Sequence, residues 1–216
     1  MTMNFDIANV LLMALPMVLA ITLHEAAHAY AARHYGDRTA EQLGRLTLNP
    51  LAHIDPVGTI AVPLVVFLVS SGAFIFGWAK PVPVISRNFR DVRIGMRMTA
   101  IAGPLSNIAM LVMWAGLLAI APFVPETLQK PLATMCFYGM IFNAILFALN
   151  MLPILPLDGG RFVDTFLPTR ASMQFSKIEP YGMWIILFLM VTNLLTAILS
   201  PVVFFLVEAV SRVFGL

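Results

Sequence analysis

Ile21-Thr22-Leu23-His24-Glu25-Ala26-Ala27-His28-Ala29 governs how the rest of the chain is read. It contains the pattern H-E-x-x-H. On a helix, residues four apart share one face, a turn above each other. His24 and His28 can therefore point at one ion, with Glu25 beside them. Two neutral imidazoles at this spacing suit Zn²⁺, and the glutamate suits a general base for its water. The setting adds weight to the pattern. Ile7 to Leu23 upstream and Ala29 to Ala32 downstream are almost wholly apolar. Five letters recur by chance in soluble helices, but ionisable residues at membrane depth are costly and mark functional positions.

Composition agrees with that setting. The 216 residues are 60% hydrophobic and 11% charged, with a mean hydropathy of +0.88, where a soluble domain carries roughly 25% charged residues. This is the composition of an all-α polytopic membrane protein with about five to six transmembrane or re-entrant helices. One cysteine, Cys136, excludes an intramolecular disulfide and a cysteine-based zinc knuckle, and reads as a small buried apolar residue. Residues 1–216 read as a single transmembrane domain, with a core over about 6–165 and accessory helices over about 180–215.

Along the chain, the first helix spans about 6–35 and stops near Gly36. It is a retained helix and not a cleaved signal: Asp6 replaces the basic start, and His24 stands where cleavage-site residues belong. Residues 36–55 are polar and turn-rich, and Arg45 to Asn49 reads as a short strand. Val57 to Val69 is too short to cross, since a span needs about 20 residues. After Ser70-Ser71-Gly72, Ala73 to Trp78 is apolar again, so 57–79 is one crossing or a re-entrant hairpin. Pro81 and Pro83 make Lys80 to Val84 extended, and a small membrane-associated β element is expected. Ser86 to Arg97 reads as a basic loop, followed by helices over about 98–122 and 132–151. Prolines and glycines then unwind Asn150 to Arg161 around Asp158; irregular backbone at membrane depth belongs where protein or a wet cavity surrounds it. A polar loop over 161–180, a helix over about 182–199 and a last apolar segment after Pro201 complete the chain.

Eleven of the thirteen Lys and Arg residues fall in 33–45, 80–97 and 161–177. The positive-inside rule puts these loops in the cytoplasm. The histidines then lie toward the cytoplasmic end of the first helix. Two cytoplasmic loops flanking 57–79 favour the hairpin, and the next two helices go out and back, returning Asp158 to the histidines' side. The same loops suit lipid headgroups better than nucleic acid.

A catalytic zinc takes three protein ligands. His34 lies round the helix from the ligand face, and Asp37 and Glu41 lie beyond its end. His53 and Asp55 sit in a loop on the correct side. Asp158 is favoured, an acid beside unwound backbone, although a helix-capping role would also suit it; His53 reads better as a hydrogen-bonding loop residue. Ligand type alone leaves iron, cobalt and manganese open. Asn143 reads as an interhelical hydrogen-bonding residue, and Asn107 divides evenly between that role and a functional one.

Together, His24 to His28 and Asn150-x-x-Pro153-x-x-Pro156-Leu157-Asp158-Gly159-Gly160-Arg161 resemble the site-2 protease family of intramembrane metalloproteases. Gly103-Pro104-Leu105-Ser106-Asn107, His53-Ile54-Asp55-Pro56 and Gly77 to Val84 are similar to further motifs of its small prokaryotic members, which have no PDZ domain. The likeness spans about residues 20–165. It implies Zn²⁺ held by His24, His28 and Asp158, with Glu25 as the catalytic base. It implies substrate contacts by Asn150 and Asn107, transmembrane protein substrates, and a place in a bacterial or archaeal cell membrane. Extended segments at 45–49 or 80–84 would receive an unwound substrate by strand addition. The rival reading is a metal or proton transporter built on the same His, Glu and Asp cluster; the absence of inverted repeats and the hydrolase spacing oppose it.

Overall fold

The computed structural model describes residues 7–62, 65 and 80–216. The described chain is helical. The long helices are α1 (Ile7–Tyr35), α3 (Val92–Ile120), α4 (Glu126–Asn150) and α8 (Leu194–Phe214). Shorter ones are α2 (Thr39–Gln42), α5 (Asp158–Asp164), α6 (Thr169–Phe175) and α7 (Glu179–Val191). Among the described residues, four helices are long and apolar enough to cross a membrane, the shortest having 21 residues. At 1.5 Å per residue that is about 31 Å, the thickness of a hydrocarbon core. The protein is an all-α polytopic membrane protein.

Three of these helices form the bundle that matters for function. His28 meets Thr99 and His24 meets Asn107, so α1 and α3 run antiparallel. Asn107 meets Asn143 and Trp114 packs on Gly139, so α3 and α4 are antiparallel as well. Close approach rests on small side chains, as expected where lipid supplies no hydrophobic force between helices. Ala20, Ala26, Ala29 and Ala32 of α1, Ala100 and Ala115 of α3, and Ala144 and Ala148 of α4 are all buried. Met110, Leu111, Trp114, Cys136 and Met140 fill the α3–α4 interior, and α8 closes it with Leu199 and Val203. Leu11, Leu15, Val112, Phe137, Phe204 and Phe205 face outward, as lipid-facing residues should.

Several boundaries differ from expectation. α1 stops where expected, at Gly36, whose φ of 119° no other residue adopts readily. The basic segment 86–97 is not one loop: Asp91 accepts a hydrogen bond from Ile94 N–H, and α3 begins at Val92. Pro104 is buried inside an unbroken α3. The polar segment 161–180 is mostly helical, in α5 and α6. The C-terminal break falls at Asn193, in the left-handed conformation with φ 59°, and Pro201 lies inside α8.

The expected β element is absent among the described residues. Lys80 to Val84 has no regular secondary structure, and its backbone groups bond elsewhere. Lys80 N–H donates to His53 C=O, Val82 N–H donates to Glu25, and Pro81 and Pro83 have none to give. At 45–49 the chain bends instead, and Asn49 caps a 3₁₀ turn over Pro50–His53. The expected hairpin at 57–79 lies mostly outside the described residues; its first turn, Pro56–Ala61, is a π-helix.

Candidate metal centre

α1 presents His24 and His28 on one buried face, as the four-residue spacing requires. Their Nε2 atoms lie 3.0 Å apart. Asp158 is delivered from the other side of the bundle. After α4 ends, Leu152 to Leu157 turn through short backbone hydrogen bonds, Ile154 N–H to Leu152 C=O and Leu157 N–H to Ile154 C=O. α5 then starts at Asp158 itself. Gly159 permits this tight return, because a β-carbon there would lie 2.4 Å from Met151 C=O. Asp158 Oδ2 ends 3.1 Å from His24 Nε2 and 3.2 Å from His28 Nε2.

The outer ring nitrogens define what the inner ones offer. His24 Nδ1–H donates to Asn107 Oδ1 at 2.7 Å, and His28 Nδ1–H donates to Thr99 C=O at 2.7 Å. A neutral imidazole with its proton on Nδ1 turns a lone pair out through Nε2. Two such lone pairs and a buried carboxylate oxygen that takes no hydrogen bond therefore converge. The three ligand atoms lie within 4.8 Å of one another. Three electron-rich atoms packed together in an apolar surround repel unless a cation sits among them. Two nitrogens and one oxygen are a donor set that fits a tetrahedral divalent ion with one position left open. Gly103 of α3 forms the wall against both imidazoles.

Glu25 is half-buried next to this cluster, and its Oε2 accepts a hydrogen bond from Val82 N–H at 2.9 Å. The segment carrying Val82 is held in turn by buried Arg45, whose Nη2 donates to Lys80 C=O at 2.7 Å.

Comparison with known proteins identifies the family. The description Peptidase family M50 matches residues 56–193. A Bacillus subtilis (strain 168) protein named "Putative zinc metalloprotease YwhC" is 36% identical over 88% of this chain and 84% of its own. A Mycolicibacterium smegmatis protein named "Putative zinc metalloprotease Rip2" is 25% identical over 81% of this chain and 64% of its own. The chain belongs to peptidase family M50. No solved structure matches it.

In this M50 member the remaining candidates are placed as follows. His53 is buried and donates from Nε2 to Thr47 C=O at 3.0 Å, tying its own loop together. Asp55 caps the turn that follows, accepting from Val57 N–H. Asp37 is fully buried and accepts from Thr39, Asn88 and Ile85 N–H. Glu41 pairs with Arg33 at 3.1 Å. Asn150 lies at the end of α4 and donates to Leu146 C=O. Asn107 is fully buried, and all its recorded hydrogen bonds are internal: to His24, to Asn143 and to Ala20 C=O. It stands behind His24, with no exposed surface.

Three contributors escaped the sequence reading. Thr99 acts through its backbone carbonyl, which no side-chain pattern records. Arg45 acts through Lys80 and Pro81, and only its burial gives it away. Gly103 acts by having no side chain, which leaves room for both imidazoles, and its place in an apolar helix does not announce that role.

Proposed function

We propose that this M50 protein is a zinc metalloendopeptidase that cuts peptide bonds within or beside transmembrane segments of other membrane proteins. The observation that carries the reading is the meeting of His24 Nε2, His28 Nε2 and Asp158 Oδ2 beside Glu25, on a helix otherwise apolar enough to lie in lipid. Relatives named as zinc metalloproteases support zinc as the ion. Bound zinc would polarise the scissile carbonyl and acidify a water molecule.

The chain's own residues supply the rest. Glu25 takes the proton of the attacking water and returns it to the leaving amine. Val82 N–H holds the Glu25 carboxylate in one orientation. Asn150, half-buried at the end of α4, is proposed to contact the substrate backbone. A helical substrate hides its peptide bonds in its own hydrogen bonds, so it must unwind before it can bind. The basic residues at 33–45, 80–97 and 161–177 support a centre that opens toward the cytoplasmic side of a bacterial or archaeal cell membrane.

The test is purified protein in detergent or vesicles with a transmembrane reporter. Glu25→Gln should lower cleavage by about 10²- to 10⁴-fold, the usual range for a general base, while retaining bound zinc. Asp158→Ala should lose both. Cleavage unchanged in Glu25→Gln, or zinc retained at wild-type affinity in Asp158→Ala, rejects the assignment.

A further inference from the structure

Behind His24 lies a chain of buried amides that the proposed chemistry does not use. Asn107 on α3 and Asn143 on α4 are both fully buried. Asn143 Nδ2 donates to Gly139 C=O at 2.8 Å, one turn back on its own helix. Its Oδ1 accepts from Asn107 Nδ2 at 2.9 Å. Asn107 Oδ1 in turn accepts from His24 Nδ1 at 2.7 Å. The series Gly139 C=O, Asn143, Asn107, His24 runs through three helices without an exposed member.

The direction of this series is fixed at its far end. An amide side chain can rotate to exchange its oxygen and nitrogen, and its neighbours decide which way it points. A backbone carbonyl only accepts. Gly139 C=O therefore requires the amino group of Asn143 and turns the Asn143 oxygen to Asn107. Asn107 must then present its amino group to Asn143, a placement that Ala20 C=O also favours at 3.5 Å. Its oxygen is left to face His24, which must carry its proton on Nδ1. The Nε2 lone pair then points at Asp158 Oδ2. Space around Asn143 is tight: Gly139 packs against the Trp114 ring so closely that a β-carbon there would lie 2.4 Å from it.

We propose that Asn143 is a positioning residue for the metal centre. From a third helix, through Asn107, it sets the tautomer and ring orientation of His24. The bland account is that two asparagines merely join helices. That account predicts a loss of stability alone when the link is cut. The positioning account predicts a loss of metal affinity as well, because groups that orient a ligating histidine are worth about 10- to 100-fold in affinity. This inference rests on the zinc reading above.

The experiment measures zinc affinity by competition with a chromophoric chelator, on full-length protein in detergent, with thermal melts of the chelator-stripped forms alongside. The first variant is Asn143→Leu. The second is Asn143→Ser, whose hydroxyl can still bond Gly139 C=O but is too short to reach Asn107; it serves if the leucine variant does not fold. Each is also made with Asn107→Asp, whose carboxylate accepts from His24 Nδ1 whichever way residue 143 points. In the wild-type background, zinc affinity should fall about 10- to 100-fold. With Asn107→Asp, the same change at 143 should cost less than about threefold, a coupling expected of side chains in contact. Wild-type zinc affinity in a folded 143 variant overturns the proposal. So does an equal loss in both backgrounds. A wild-type protein that takes up no zinc would sink the zinc reading itself, a separate outcome.

Discussion

A β-carbon built on Gly103 would sit 2.3 Å from His28 Nε2 and 2.7 Å from His24 Cε1. Both rings are tethered from behind, so neither can retreat without breaking its bond to Asn107 or Thr99. Gly103→Ala should therefore reduce bound zinc at least tenfold, with an overpacking penalty of about 1–3 kcal/mol; metal content and a melt of the stripped protein check the two parts. Asp37 gives a prediction of another kind. Burial alone would raise its pKa, but hydrogen bonds from Thr39, Asn88 and Ile85 N–H outweigh that and hold it below the usual 3.8. A carboxylate lowered by folding stabilises the fold fully above its unfolded value and loses that contribution as pH falls through the folded one. Wild-type protein should thus lose melting temperature below about pH 4 more steeply than Asp37→Asn, which starts lower at neutral pH. Parallel curves for the two proteins would contradict this.

At the scale of elements, the 80–84 segment couples two parts of the molecule. Arg45 holds its carbonyls and Glu25 holds its one free N–H between two prolines. Arg45→Ala removes a charged donor to the carbonyls of Lys80 and Pro81, worth about 1.5–3 kcal/mol. It should loosen the segment and lower cleavage through Glu25 with zinc content unchanged. Limited proteolysis near Lys80, faster in the variant, is the check. The same elements show what a sequence conveys. The helices carrying the centre were readable because apolar runs of helical length leave few alternatives in lipid, and because His24, His28 and Asp158 are the wrong chemistry for such runs. The start of α3 was not. Four arginines at 87–97 read as a loop, while the feature that decides it is one Asp91 cap. No strand forms at 45–49 because Asn49 caps the 3₁₀ turn that follows it, and 80–84 spends its N–H groups on His53 and Glu25. The last break was assigned to Pro201, but the turn is made where Asn193 tolerates a positive φ, and Pro201 rides within α8.

At the scale of the molecule, the centre is a joint between α1, α3, α4 and α5 rather than a property of any one of them. An ion bound to such a joint stabilises the whole by mass action, about 2.7 kcal/mol when its free concentration is 100 times its Kd. Chelation should therefore lower the melting temperature of the wild type and leave Asp158→Ala unmoved. Orientation is testable at the same scale. Single cysteines at Arg87 and Arg170, in a Cys136→Ala background, should be labelled by impermeant reagents only in inverted vesicles, and labelling in intact cells would reverse the assignment. The distance in sequence between the first two ligand candidates and the third has a consequence for biosynthesis. A ribosome that has threaded α1 and α3 into the bilayer has delivered both imidazoles but not the Asp158 carboxylate that joins them. Until Asp158 has been translated and α5 has docked, the nascent chain holds an incomplete cage, and under the proposed function it is not yet able to cut neighbouring newly inserted helices.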